Sequence, residues 1–434
     1  MNPLADKPPR PLLLMCWHGD LEHDRGGGNT LAIDRLRHFI GAGWEVHLLS
    51  RTAPTCELVQ GCEEVWQFQD SAYRQMRRYL YRGLSESRVG RMLLSLGFRQ
   101  ATRFHQLFLN EKRDYHEAVG RANDAKREGP VPSFRKRRNA SLIGAAEQLI
   151  RFLNPDAVFA SFAWNTVIFD ACPEHMLTIL DTHDIQHRRA KVAAASGGDL
   201  SDRDCSHDEE AEELRKADLL IGIQQDETAL LHDMCPDAIT VTTGHVPPRT
   251  EAVGSPEDSR NLLFIANYYN PNTRGLKAFL EQDWPALHEA GATLTVIGKV
   301  CTDFTQDVDG AAFLGPVDDL DEYYAQAAVV LNLASYGTGL PIKTVEALAA
   351  GKVVLTRHTC CEGLPDDAPV IQFEPGQAAQ SIQHLLTDVG ARREQEQAAV
   401  HFAATALSDE AVYGELDARL EDALTTALLP AASA

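Results

Sequence analysis

Along most of the chain, short apolar runs alternate with segments whose apolar residues recur at helical spacing. Leu12–Cys16 is an unbroken apolar run, followed by the glycine-rich turn Gly26-Gly27-Gly28-Asn29-Thr30. Leu31, Ile33, Leu36, Phe39 and Ile40 then fall at roughly helical intervals until Gly41-Ala42-Gly43, and Glu45–Leu49 returns to a β pattern. Strand, glycine loop, helix and strand in that order predict a βαβ unit. Ala157–Ser161, Thr178–Asp181, Leu219–Ile223 and Ile239–Thr242 continue the rhythm.

A polar stretch without periodicity, Arg249–Arg260, reads as a linker. Beyond it the alternation restarts, with strands expected at Leu262–Ala266, Leu294–Ile297, Ala312–Leu314, Val329–Leu333, Val353–Thr356 and Val370–Phe373. Helices are expected between them at Gly275–Glu281, Leu320–Ala327 and Thr344–Ala350, and a helical tail from Ser381. The expected class is therefore α/β, with two Rossmann-like domains of parallel strands at 1–250 and 258–405. The remaining stretch, 406–434, reads as a C-terminal helix that can pack back on the first domain.

One segment breaks the rhythm. Ser71–Ile150 lacks clear strands and holds 17 Lys and Arg against 7 Asp and Glu, in a chain whose net charge is −21. It reads as a basic helical insertion at about 71–150, either a set of solvated helix faces or a surface for an anionic partner such as lipid headgroups or a lipid-linked acceptor. The overall charge argues against nucleic-acid binding. The 434 residues exceed one ordinary core, and 44% are apolar, enough for two. No apolar run is long enough to span a bilayer, and the N-terminus lacks a cleavable leader pattern. Nine scattered cysteines without a CxxC pair fit a reduced, cytoplasmic compartment, with peripheral contact at the inner membrane face through the basic segment.

Candidate chemistry concentrates after the expected strand Val329–Leu333. Gly337-Thr338-Gly339-Leu340-Pro341 leads into a helix carrying Lys343 and Glu346. Glycines let a backbone approach a phosphate, the helix N-terminus offers free N–H groups, and Lys343 adds a cation. Glu346 is a poor phosphate ligand and suits a ribose diol. The alternative is an ordinary βα junction with an exposed Lys and Glu. Asp202-Arg203-Asp204 and Asp307-Val308-Asp309 lie in polar stretches away from strand ends, so no metal site is expected. The dinucleotide and P-loop fingerprints are absent.

The stretch Gly315–Thr356, GPVDDLDEYYAQAAVVLNLASYGTGLPIKTVEALAAGKVVLT, resembles the C-terminal signature of glycosyltransferase family 4. Asn261–Leu287 is similar to the segment opening that family's C-terminal domain, Asp181-Thr182-His183-Asp184 to its T-x-H-D segment, and Gly26–Gly28 to its N-terminal glycine loop. The pieces fall along the chain in the expected order. The resemblance implies a two-domain GT-B fold, mostly retaining chemistry and a nucleotide-sugar donor such as a UDP- or GDP-sugar. It places Glu346 on the second Glu of the E-x7-E pattern, the nucleotide ribose, and puts Thr338 where the first Glu stands. Gly27, Gly28, Thr338, Gly339 and Leu340 fall on the donor side. Asn267 replaces part of a Gly-Arg pair, and Arg274, Lys343 or Lys299 is left to hold phosphate. His183 is implied beside the donor sugar or its phosphate; a hydrogen-bonded structural pair with its neighbouring Asp is the alternative.

The activity that the resemblance implies is that of a retaining glycosyltransferase, metal-independent, acting on a glycan, a lipid-linked acceptor or a protein. A GT-B-fold epimerase, which needs no acceptor, and a non-catalytic protein that kept the fold remain as alternatives. His183, Lys343 and Arg274 are the candidate catalytic residues.

Overall fold

The computed structural model describes residues 10–19, 21, 27–52, 59–68, 133–198, 204–247, 252 and 254–428. The first half holds a parallel sheet of β1 (Leu12–Cys16), β2 (Glu45–Ser50), β3 (Glu64–Gln67), β4 (Ala157–Ser161), β5 (Leu177–Asp181), β6 (Leu219–Gly222) and β7 (Ile239–Thr242). Their spatial order is β3-β2-β1-β4-β5-β6-β7. The second half repeats the plan with β8 (Asn261–Ile265), β9 (Thr293–Ile297), β10 (Ala311–Gly315), β11 (Ala327–Asn332), β12 (Val354–Arg357) and β13 (Val370–Phe373). These pair in parallel in the order β10-β9-β8-β11-β12-β13. The central strands β1, β4, β5, β6 and β11 are buried almost throughout because helices cover both faces, which is why they read as unbroken apolar runs.

In each sheet the chain reverses its direction of travel between two central strands, β1 and β4 in one, β8 and β11 in the other. Beyond the carboxyl ends of strands at such a reversal lies a crevice suited to a ligand. Both crevices belong to one cleft, since the loops after β11 and the loops after β5 and β6 touch across it.

The helix Gly27–Gly41 follows β1 and buries Leu31, Ala32, Arg35, Leu36 and Phe39, a stripe repeating every three to four residues. Arg35 is the unexpected member, fully buried among apolar neighbours. Its Nε donates to Asp181 Oδ2 at 3.0 Å, Nη1 to Gly244 O at 2.8 Å and to the Tyr413 hydroxyl at 2.9 Å, and Nη2 to Thr243 O at 2.6 Å. One side chain thus ties the end of β5, the segment after β7 and a helix from the far end of the sequence.

That last helix, Asp409–Leu428, packs on the first half, with Val412, Tyr413, Leu416 and Leu420 inside its apolar core. Tyr413 also stacks on His38 at 3.7 Å between ring centroids. The chain therefore crosses between the halves twice, after β7 and again between the helix Val389–Ala406 and the helix Asp409–Leu428. On the other side Arg392 is buried and donates to the carbonyls of Pro256, Glu257, Ser259 and Leu385, anchoring the first crossing to the second half. Among the described residues no helix is long and apolar enough to cross a membrane.

The expected basic insertion needs correction at its end. Residues 71–132 lie outside the described residues, but Ala140–Leu153 is a core helix with Leu142, Ile143, Ala145, Ala146 and Leu149 buried. Nor are all the neighbouring cations free for an anionic partner. Arg135 pairs with Glu212 and Glu213 at 2.7 Å each, Arg138 pairs with Glu213 at 2.7 Å, and the Arg137 guanidinium lies 4.9 Å from the centroid of Trp164. A count of charges along the sequence cannot show that acids some 75 positions later neutralise them.

Replacing Arg35 by Ala should destabilise the protein by about 3–5 kcal/mol, because Asp181 then loses its counter-charge while remaining buried. Tyr413→Phe, which keeps the charge pair and removes one hydrogen bond, should cost about 1 kcal/mol. Thermal unfolding of the two variants reads the difference, and equal losses would mean that the pair with Asp181 is not what holds the site.

Candidate active site

Two helix N-termini meet at the cleft. Gly27 opens the first helix, and a Cβ added there would fall 3.6 Å from Ile342, which opens the helix Ile342–Ala349. Pro341 precedes that second helix and provides no capping side chain; the first turn is closed by backbone, the Ile342 N–H donating to Leu340 O at 3.0 Å and the Thr344 N–H to Pro341 O at 2.8 Å. Gly28 packs beside Phe162 and Trp17, where an added Cβ would be 3.7 Å from either ring.

The loop after β11 is fixed from beneath and from across. The Ser335 N–H donates to Pro271 O at 3.0 Å, and Gly275 lets the helix Asn270–Gln282 lie so close that an added Cβ would sit 1.5 Å from Leu333 O. Gly339 has φ +71, and a Cβ on it would approach Asp184 Oδ1 to 3.2 Å. Thr338 Oγ1 donates to the same Asp184 Oδ1 at 3.4 Å, while the other carboxylate oxygen accepts from Arg189. Leu340 packs on Gly244, within 3.5 Å of where a Cβ would be. Further contacts join the halves nearby: Arg188 with Glu362 at 2.5 Å, Arg274 Nη1 with Ser196 O, and the Tyr336 hydroxyl against Gly198.

Lys343 reaches back under the loop. Its Nζ donates to Asn272 Oδ1 at 2.7 Å and lies 5.4 Å from the Phe264 ring centroid, and Asn272 in turn donates to Asn267 O at 3.1 Å. Burial lowers the Lys343 pKa to about 8, with Cys360 opposing the shift. The hydrogen-bond partner of Lys343 is thus a neutral amide rather than a carboxylate. Glu346 lies one turn further, with Oε1 3.9 Å from His245 Nε2; burial raises its pKa and His245 opposes the rise. Glu346 and His245 line a cavity of about 740 Å³ together with Thr30, Ile33, Asp34 and Arg37.

His183 stands at the end of β5 with φ +58, and its N–H donates to Asp181 Oδ1 at 3.1 Å. Its ring stacks on Phe162 at 4.3 Å, itself held at φ +69 at the end of β4. Two non-glycine residues in the left-handed region, on neighbouring strand ends, are strained, and their rings touch. Neither ring nitrogen of His183 has a hydrogen-bond partner among the described residues. Burial lowers its pKa, Asp181 opposing, so the ring is neutral. For Asp181, burial raises the pKa, but the surrounding charges and donors, Arg35 and the His183 N–H among them, bring it below the usual value.

The structure thus gathers Gly27, Gly28, His183, Thr338, Gly339, Leu340, Lys343 and Glu346 along the cleft, with Asn267 behind Lys343. It does not gather Lys299, which is exposed after β9, separated from β11 by β8. Arg274 is occupied in bridging to Ser196. The sequence also offers His187, Arg188 and Arg189 as holders of acceptor or phosphate, with a solvated helix face as the alternative, and the structure pairs Arg188 with Glu362 and Arg189 with Asp184. Sequence reasoning does not single out Phe162, Trp17 or His245; the first two follow strand ends in the first half, and that position alone is the available signal.

The family described as "Glycosyl transferases group 1" matches residues 259–388. The match falls within the second half of the chain. The same two-domain GT-B fold occurs in sucrose-phosphate synthase from Thermosynechococcus elongatus, 14% identical over 96% of this chain and 100% of that one, with a TM-score of 0.63. It occurs in HepE of Anabaena in complex with UDP and glucose, 11% identical over 95% and 100%, TM-score 0.58. TarM of S. aureus, in a complex containing UDP, is 9% identical over 94% and 99%, TM-score 0.62. Likeness at these identities concerns the fold. No curated protein matches the chain by sequence.

The described residues contain no cluster of three or more His, Cys, Asp or Glu arranged to hold a metal ion. Lys343, beneath the loop, is protonated below about pH 8 and loses its proton above it. Binding of inorganic pyrophosphate should therefore weaken as pH rises from 7 to 9, by up to about tenfold. Lys343→Arg should remove most of that dependence, since a guanidinium does not titrate there. Titration calorimetry checks this, and an identical pH profile in the two proteins would place the anion elsewhere.

Proposed function

We propose that the protein is a retaining glycosyltransferase that moves a sugar from a nucleotide-sugar donor to a glycan, glycolipid or glycoprotein acceptor. The observation that carries this reading is the meeting of two helix N-terminal ends across the cleft, at Gly27 and Ile342, the second carrying Lys343 in its first turn. That arrangement suits a diphosphate leaving group: amide dipoles and one cation face the charge that grows as the bond between the anomeric carbon and the phosphate oxygen breaks. Glu346, one turn along the same helix, suits the ribose hydroxyls. His183, neutral and with open ring nitrogens beside strained Phe162, suits a sugar hydroxyl or the phosphate oxygen.

Retention is consistent with the surroundings of the anomeric position in this reading. Asp184, the carboxylate against the loop, is already engaged by Arg189 and Thr338 and is therefore a poor nucleophile. The acceptor hydroxyl then attacks on the face the leaving group vacates, passing its proton to the departing phosphate oxygen. The reaction so written needs no metal ion, because Lys343 and the helix termini meet the leaving-group charge.

A thermal-shift panel of UDP, GDP, ADP and CMP should show stabilisation by at least one nucleotide. The matching nucleotide-sugar should then be hydrolysed or transferred, and Lys343→Ala and Glu346→Ala should each lower turnover by about 100-fold. Absence of any shift would favour a non-catalytic protein that kept the fold. Conversion of the donor to an isomer without release of nucleotide would favour an epimerase. Full activity in both variants would overturn the site assignment.

A further inference from the structure

His245 belongs to the segment that leaves β7 toward the second half, and it is buried. Its Nδ1 lies 3.0 Å from Asp34 Oδ2, and the same oxygen accepts the N–H of Val246 at 2.9 Å. A carboxylate oxygen accepts only, so Nδ1 carries a proton, and Nε2 is the nitrogen turned toward Glu346. Among the described residues Nε2 has no hydrogen-bond partner. It faces Glu346 Oε1 across 3.9 Å, beyond hydrogen-bonding range, on the wall of the cavity of about 740 Å³. A buried imidazole nitrogen and a carboxyl group thus face each other at a distance too long for a hydrogen bond. Buried polar atoms are seldom left so, and a pair of hydroxyls can meet both.

We infer that His245 and Glu346 together grip the ribose of the nucleotide, one hydroxyl donating to Nε2 and its neighbour to the Glu346 carboxylate. Two acceptors 3.9 Å apart can each be met at about 2.8 Å by hydroxyls of one vicinal diol. The distance along the helix agrees: Glu346 is four residues from Ile342, about 6 Å of rise, the separation of a ribose from a diphosphate seated at the helix start. The volume is that of an ordinary small-molecule site. Asp34 is then a positioning residue, acting through the His245 tautomer. Because Asp34 belongs to the first half, His245 to the crossing segment and Glu346 to the second half, the ribose becomes the piece that completes a chain from one half to the other. The inference rests on the nucleotide-sugar reading above and adds to it a ribose contact from the crossing segment.

The test uses the full chain and compares UDP, GDP and ADP with their 2′-deoxy and 3′-deoxy counterparts by titration calorimetry. Native protein should bind one ribonucleotide about tenfold more tightly than at least one of its deoxy forms, a loss of about 1.4 kcal/mol. His245→Ala should weaken the ribonucleotide about tenfold and reduce the preference over that deoxy form to less than about twofold. His245→Gln, whose carbonyl can accept near the position of Nε2, should restore part of the preference. Asp34→Asn should reduce the preference while leaving binding of inorganic pyrophosphate unchanged, a split that general damage to the fold would not produce. Retention of the full preference in folded His245→Ala and His245→Gln would overturn the inference and leave the nucleotide-sugar reading standing. Failure of every ribonucleotide to bind the native protein would overturn both.

Discussion

The pairing of Arg35 with Asp181 in the middle of the first half is the constraint on which the rest of the cleft depends. A guanidinium removed from water costs several kcal/mol unless its donors are met, and here a carboxylate, two carbonyls and a hydroxyl meet four of the five. The arrangement does more than neutralise charge. Asp181 turns its second oxygen to the His183 N–H, which holds that residue in the left-handed region and sets its ring against Phe162. The direction of the imidazole is thus decided by a charge buried one layer below it. Strain at His183 and Phe162 persists because the network underneath leaves the backbone no cheaper path.

A second layer of organisation is the closeness of the two halves around the loop after β11. Gly339, Thr338, Tyr336 and Arg274 each meet a partner in the first half, and Glu362 does the same through Arg188. Several of these contacts require the absence of a side chain, as at Gly198 and Gly339, so the fit is a matter of shape as well as charge. The loop is held by its surroundings on three sides, which is how a short stretch rich in glycine is fixed in one place.

Much of this is readable from the sequence. Runs such as Leu12–Cys16 and Ala157–Ser161 announce buried parallel strands because both faces are covered, and the glycine loops mark where strand ends meet helix starts. The strand Glu64–Gln67 is not legible in the same way, since its mixed composition at the sheet edge leaves no apolar run. Lys343 and Glu346 are legible because helical spacing puts them on known turns of one helix. Arg35 and His245 are not: each derives its meaning from partners between about 146 and 378 positions away, and nothing local marks a buried Arg or an open imidazole nitrogen. The basic run Arg135–Arg138 misleads for the same reason, its counter-charges lying on a distant helix.

The double passage of the chain between the halves has a mechanical meaning. A body tethered at one point can swivel in any direction, whereas one tethered at two points turns only about the line that joins them. Here the two tethers are the stretch after β7 and the junction before Asp409, and Arg35 binds Thr243 and Gly244 near the one and Tyr413 near the other. The guanidinium therefore works as the bearing of an axle. A rotation of the halves about that line would part the contacts of Thr338, Arg188 and Arg274 and leave the Arg35 cluster whole.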